Sequence, residues 1–375
     1  MAARHSMQIS IAGNGIAARA MALAFARKGI SVSIFGDAAD AAPGGVQLAP
    51  NGWAALAKLG VGDMARKAAQ PLAMMRLLSL ESGASLVTLP LNDRPERTPY
   101  CSIARADLAD ILAKAATGTG LVDVNVARLT ALTPADDKVR LSLEKGAATD
   151  ADWLIGCDGQ NGLCRQHIEA DDPAPRHHRR DALRLILPQE AVPRGGRATT
   201  VWLGRGGHIV HYPLPDGSLN LVAMVKPSPQ SAEHAAAMLA SQHQLADIAD
   251  KMRAVKPIAL TDQPLLGAWQ RGRVILAGDA AHPMPPHLAQ GAGQGLVDAA
   301  AMLDHLDALE GDDLQPVLTR WSAERMRVIR RVSRDARRAG DMFALDGPLA
   351  KIRNIGLAGI GDIGLGLALD RLWSA

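Results

Sequence analysis

The alternation of apolar and polar positions changes period several times along the chain, and each change marks an element. Gln8 to Ala12 alternates and then turns apolar, Gly13-Asn14-Gly15 interrupts it, and Ala17, Ala20, Met21, Ala24 and Phe25 recur at helical spacing up to Gly29. A second apolar strand, Ser31 to Phe35, follows at once. Strand, tight turn, helix and strand make a βαβ unit, which predicts a parallel sheet with a right-handed crossover and an α/β fold class. Residues 72–90 and roughly 175–225 read differently. Met75 to Leu80, Leu183 to Leu187, Thr199 to Leu203 and Leu219 to Val225 are short strands between Gly/Pro turns and predict an antiparallel layer. Helical spacing returns at Asp107 to Ala116, Ala232 to Ala249, Leu296 to Leu309 and Val317 to Ala339.

Composition narrows the classes. With 375 residues, 48% of them hydrophobic, the chain can bury one large core or two smaller ones. Its 41 basic and 38 acidic residues give a net charge of +3, too small an excess to imply a nucleic-acid partner. Cys101, Cys157 and Cys164 have neither metal-type spacing nor an even count, which points to a reducing compartment. The N-terminus passes into a strand pattern without a signal-type core, and no uninterrupted apolar run reaches about 18 residues, so a cytoplasmic location is expected.

Three strand ends carry candidate chemistry. Gly13-Asn14-Gly15-Ile16-Ala17-Ala18 fits the dinucleotide fingerprint: Gly13 permits the turn, Gly15 admits a pyrophosphate, and Ala18 packs helix on strand. The helix start then offers backbone N–H groups to phosphate. An acidic residue is expected at the end of the next strand to hold a ribose, but Gly36 stands there, and Asp37, one residue late, is the candidate replacement. Two further apolar strands end in Asp158-Gly159 and in Gly278-Asp279.

This ordered set, with Arg105 in Ser102-Ile103-Ala104-Arg105-Ala106-Asp107-Leu108, resembles the single-component FAD-dependent aromatic hydroxylases, the para-hydroxybenzoate and salicylate hydroxylase group. The resemblance extends from Ile9 to about Gly340. It takes in Gly45-Val46-Gln47-Leu48-Ala49-Pro50-Asn51, the Arg184 strand, His211-Tyr212-Pro213-Leu214 and Gly278-Asp279-Ala280-Ala281-His282-Pro283. It implies a Rossmann-like FAD-binding domain formed by residues 1–71, 101–172 and 266–340. Interleaved with it would be a mainly antiparallel substrate domain, 72–100 and 173–265, and 341–375 would add a C-terminal helical segment. Asp279 would accept hydrogen bonds from the ribityl hydroxyls of FAD, Arg105 and Gly44-Gly45 would lie beside the flavin ring, and Asp158 would lie near the pyrophosphate. Gly291 and Ala292, in a glycine-rich stretch leading into the helix from Leu296, would face the flavin's pyrimidine edge.

The implied activity is NAD(P)H-consuming hydroxylation of a small aromatic or heteroaromatic substrate by dioxygen, through a flavin hydroperoxide. NADH or NADPH would visit transiently, since no second nucleotide fingerprint is present. Activating a phenolic ring requires removal of its proton, and an imidazole suits that near neutrality. Family members related to salicylate hydroxylase carry a histidine four residues before the tyrosine of Tyr-Pro. His208 matches that position and is the candidate base, with Tyr212 on the same strand face. Arg184 and Gln290 are the candidate substrate contacts. His282 and His287 are expected to fold the Pro-rich loop, Met74, Met75 and Met284 to fill core, and no metal site is expected. The arginines between Arg320 and Arg338 read as a solvated helix face. Residues 349–372, apolar but interrupted by glycines and Asp362, are expected to pack over the core with little membrane contact, in a monomer or homodimer.

Overall fold

A computed structural model describes residues 7–37, 44–91, 99–135, 137–169, 177–192 and 196–374. The parallel sheet forms as the opening pattern predicts. In spatial order it runs Val274–Leu276, Trp153–Gly156, Ile9–Ala12, Val32–Gly36 and Val122–Val126, with the antiparallel Gln270–Arg271 at one edge. Its inner strands are continuous apolar runs because helices cover the sheet, and Ile11, Leu154, Ile155, Val274 and Ile275 are fully buried. The helix Ile16–Ala26 packs there against Gly291–His305.

The second sheet has seven strands, ordered Ile258–Asp262, His177–Pro188, Ser218–Val225, His208–Pro213, Ala198–Leu203, Met74–Ser79 and Ser85–Pro90. All neighbours are antiparallel except Ala198–Leu203 and Met74–Ser79, which run parallel. Two-residue periodicity gives this sheet two different faces. Leu219, Leu221, Ala223 and Val225 turn to a second core under the helix Ser231–Ala240, whereas Val222 and Met224 turn to a cavity on the other side. A small sheet, Gly45–Leu48, Cys101–Ala104 and Ala69–Pro71, brings Gly45 beside Tyr212, whose hydroxyl donates to the Gly45 carbonyl at 2.9 Å.

Two helices depart from the pattern. The expected helix from Ala232 to Ala249 stops at Ala240; Gln242 is buried with its amide donating to the Leu80 carbonyl, and the chain turns before a short helix, Ala249–Arg253. The helix expected from Leu296 begins at Gly291. Gly295 faces the first helix at close range, where a Cβ would lie 3.2 Å from the Cβ of Ala17.

The chain closes with a penultimate helix, Gln315–Phe343, and a C-terminal helix, Gly347–Trp373, capped by the Asp346 carboxylate accepting from the Gly347 N–H at 2.7 Å. Gly361, at φ +64°, kinks the latter into two segments. Leu357, Leu369 and Leu372 are buried against the fold, while Ile352, Ile355 and Ile363 on other sides of the same helix are exposed.

Candidate active site

Three turns that are far apart in sequence meet at the C-terminal edge of the parallel sheet. Gly13, at φ +102°, donates its N–H to the Phe35 carbonyl at 2.7 Å, and any Cβ there would overlap the Cys157 carbonyl beside Asp158. Gly278, at φ +58°, lies against Ala17, where a Cβ would come within 2.6 Å. Gly13, Asp158 and Gly278 thus belong to one contiguous floor. Ala18 is fully buried in it, and Gly15 is exposed at a helix start that no side chain caps. Bare N–H groups at that position suit a pyrophosphate.

The Gly278-Asp279 turn has its own support. Asp298 is fully buried; its Oδ2 accepts from the Gly278 N–H at 2.9 Å and from His282 Nε2 at 2.6 Å, and its Oδ1 accepts from Arg325 Nε at 2.7 Å. Burial alone would raise its pKa, but His282, Arg325 and the Gly278 N–H outweigh that and hold it down to about 2. The paired charge fixes the left-handed turn and points the Asp279 carboxylate outward, exposed, towards Gly291. His282 folds the loop as expected. Arg325 does not belong to the solvated arginine face: it is buried, with Nη2 donating to Gln294 Oε1 at 2.6 Å. Asp298 escaped the sequence reading, although a lone carboxylate within Leu296-Val297-Asp298-Ala299-Ala300 was its signal.

Gly36 stands where a ribose-binding acid was expected because the turn presses on it: a Cβ would lie 2.9 Å from the Asn14 nitrogen. The exposed Asp37 carboxylate instead accepts from Arg128, Nε at 3.2 Å and Nη2 at 2.7 Å. Asp158 folds back on its own loop, Oδ2 accepting from the Cys164 N–H at 3.0 Å, and the absence of a side chain at Gly162 makes room for it. Burial raises its pKa, and that hydrogen bond opposes the rise.

A cavity of about 860 Å³ opens beside these turns, within the range of small-ligand sites. Gly45, Arg105, Gly159, Asp279, Gly291 and Ala292 line it together with Arg184, Val210, Tyr212, Val222 and Met224, Gly45 lying against Tyr212. The Arg184 guanidinium lies over Gly44, where a Cβ would be 2.8 Å from Nη1, and its Nε is buried without a partner among the described residues. Tyr212 gives its ring to the wall, its hydroxyl being committed to Gly45. Met75, Met284 and Met342 also face the cavity, so Met75 and Met284 are adaptable wall rather than mere core filler.

His208 is fully buried and does not reach the wall; His287 and Phe343 cover it, their ring centroids 5.3 and 5.1 Å away. Burial, then the neighbouring His287, Arg180 and Arg353, lower its pKa well below the ordinary value, and its Nε2 has no partner among the described residues. His287, expected only to fold its loop, is the imidazole that lines the cavity. Its signal lay elsewhere in the sequence: Gly340 interrupts a long helix, and any side chain there would overlap the His287 ring. Gln290 lies behind the Gly291 turn, its Oε1 accepting from Asn51 Nδ2 at 2.9 Å and Gln294 Nε2 at 3.2 Å. His211, on the opposite strand face, packs near Trp202.

Comparison with known proteins agrees with this geometry. Residues 6–336 match the family model described as an FAD binding domain. The chain is 32% identical to 3-amino-4-hydroxybenzoate 2-monooxygenase PtmB3 of Streptomyces platensis, over 92% of this chain and 91% of that one. It is 31% identical to 3-hydroxybenzoate 6-hydroxylase 1 of Aquipseudomonas alcaligenes, over 92% of each. Among solved structures, Klebsiella pneumoniae HpxO complexed with FAD and uric acid superposes with a TM-score of 0.87 at 20% identity, covering 99% of this chain and 97% of that one. A salicylate hydroxylase substrate complex gives 0.79 at 23% identity, covering 98% and 95%. With three glycine turns converging on one floor and sequence likeness along the whole fold, the chain belongs to the FAD-binding monooxygenases and is an FAD-dependent aromatic hydroxylase.

Proposed function

We propose that the substrate is a small aromatic acid of the hydroxybenzoate or hydroxynicotinate kind, and that NADH or NADPH is the visiting reductant. The observation that carries this reading is the buried Nε of Arg184, without a partner among the described residues, at a largely aliphatic cavity that Asp279 and Gly291 also line. A buried guanidinium donor left open favours a carboxylate, since an ionised partner doubles the worth of the hydrogen bond and satisfies an otherwise costly group. The 3% aromatic content leaves few rings for stacking, so orientation falls to Arg184 and the Tyr212 face. In this reading the enzyme works in the cytoplasm, where pyridine nucleotides are supplied, and is a monomer or homodimer.

FAD, when bound, supplies the redox chemistry with dioxygen; the protein's share is binding, orientation, water exclusion and proton handling. Gly13 and Gly15 leave room for the pyrophosphate at the first helix start, with Ala17 beside them and the buried Ala18 packing the helix on the strand. Asp279 holds the ribityl chain, and Gly45, Arg105, Gly291 and Ala292 flank the ring. Asp158 shapes the adjoining loop, and Asp37 stands at the adenosine end. His208 takes the ring proton by way of His287. Burial, then the neighbouring His287, Arg180 and Arg353, hold His208 neutral and so able to accept a proton, and its Nε2 is without a partner among the described residues. Gln290 orients the Gly291 turn towards the substrate.

The test is a screen of hydroxylated benzoates, aminobenzoates and nicotinates for faster NAD(P)H oxidation, with products identified by mass spectrometry. Acids should stimulate and their amides should not. Arg184→Gln should raise KM for the acid at least tenfold, from a loss of about 1.5–3 kcal/mol, and equal stimulation by acid and amide would overturn the assignment.

A further inference from the structure

The C-terminal helix is apolar on two sides. Leu357, Leu365, Leu369 and Leu372 face the cavity. Leu349, Ile352, Ile355, Ile360, Ile363 and Leu367 point to solvent, and Ile355 and Ile363 are 73% and 76% exposed. Of eleven exposed large apolar side chains among the described residues, six stand on this one helix, which makes a patch rather than scattered surface residues. Rotating the helix to hide them would unroof the cavity.

Beside this face runs the penultimate helix, whose Val328 and Val332 pack against Leu365, Leu369 and Leu372. Its exposed side carries Arg327, Arg330, Arg331, Arg334 and Arg338, against Asp335 and Asp341 in the same stretch, and Arg338 shares the cavity rim with Leu365. We propose that this combined apolar and cationic face docks the enzyme on an anionic lipid surface, with the C-terminal helix lying in the plane of the interface.

Charge decides the occupant. A two-fold contact between copies through this face would bring two arginine rows together, whereas anionic headgroups neutralise them and need no matched surface. The kink decides the orientation. Gly361 splits the helix into residues 347–360 and 362–373, each shorter than the ~20 residues that cross a bilayer, and Asp362 is exposed at the break. Two short segments with aliphatic side chains outward are suited to lying on a membrane rather than spanning it. This holds whichever aromatic acid the cavity accepts.

The experiment uses the full FAD-loaded chain, sedimented with vesicles of phosphatidylcholine alone or with phosphatidylglycerol, and sedimentation velocity without lipid. Binding should require phosphatidylglycerol and fall with salt. Ile352→Glu/Ile355→Glu/Ile363→Glu should weaken it at least tenfold with FAD content unchanged, and Arg327→Gln/Arg331→Gln/Arg334→Gln should weaken it severalfold. Three results would overturn the proposal: wild-type protein that ignores both vesicles, a triple glutamate variant that binds like wild type, or a dimer abolished by those glutamates without any lipid binding. Because flavin content and vesicle binding are read separately, failure here is distinguishable from failure of the substrate assignment.

Discussion

The two ends of the cleft are finished to different degrees by the protein's own atoms. At the turn end, the Gly278 N–H, His282 and Arg325 all converge on Asp298, and the Cys164 N–H closes on Asp158. At the cavity end, Arg184 Nε and His208 Nε2 are buried without partners among the described residues, and at the turn end so are Asp158 Oδ1 and His282 Nδ1, so the two ends differ in the pairing of charge rather than in the number of open atoms. Buried polar groups are ordinarily satisfied, so the open donor of Arg184, which borders the cavity, suits a ligand, whereas His208 lies behind His287 and Phe343. The turn end thus holds a buried carboxylate with its counter-ion in place, whereas the Arg184 Nε beside the cavity has no protein partner among the described residues. Damage to the first should therefore unfold protein, and damage to the second should spare the fold and lose turnover.

Removing Asp298 tests that contrast most strongly. Asp298→Ala leaves Arg325 and His282 buried without their counter-charge and should cost about 3–5 kcal/mol, read by urea unfolding. Acid should act through the same carboxylate. Its folded pKa lies below the unfolded one, so its contribution is complete above about pH 4 and is lost as the pH falls towards about 2. Asp298→Asn should flatten that part of the acid-unfolding profile followed by circular dichroism.

On the cavity side, His208→Asn and His287→Asn should each slow product formation about 100-fold, the low end of general acid–base effects, with thermal stability and FAD content close to wild type. A variant that loses flavin instead would erase the distinction between the two ends. Asp279 sits at the border: exposed, yet part of the cavity lining. Asp279→Ala should weaken FAD about 10- to 100-fold, the worth of a charged hydrogen bond, in a fluorescence-quenching titration, while urea unfolding of the flavin-free protein stays unchanged. Smallest of all should be Asp37→Asn, which breaks an exposed pair with Arg128 and should shift FAD affinity no more than about threefold. A larger loss would show that this carboxylate leaves Arg128 to hold the ribose.

The convergence of turns was legible in the sequence because glycine turns and strand-ending aspartates are local signals: Gly13, Gly15, Asp158 and Asp279 sit at the ends of apolar runs. Gly36 was seen as a departure, but its reason, backbone crowding from Asn14, is a contact across 22 residues. The catalytic wall was harder to read. Alternation along His208–Pro213 correctly set Val210 and Tyr212 on one face, yet it could not show that His287 and Phe343 close over His208.

The α/β class, the glycine turns and most strands of the seven-stranded sheet were set by the sequence itself, since hydrophobic period and turn chemistry act over a few neighbouring residues. Tertiary structure alone decided which imidazole meets the cavity, that Arg325 is a buried counter-ion, and that the last helix keeps an aliphatic side in water. These depend on which distant surfaces are packed together, and burial, unlike periodicity, is a property of the whole fold.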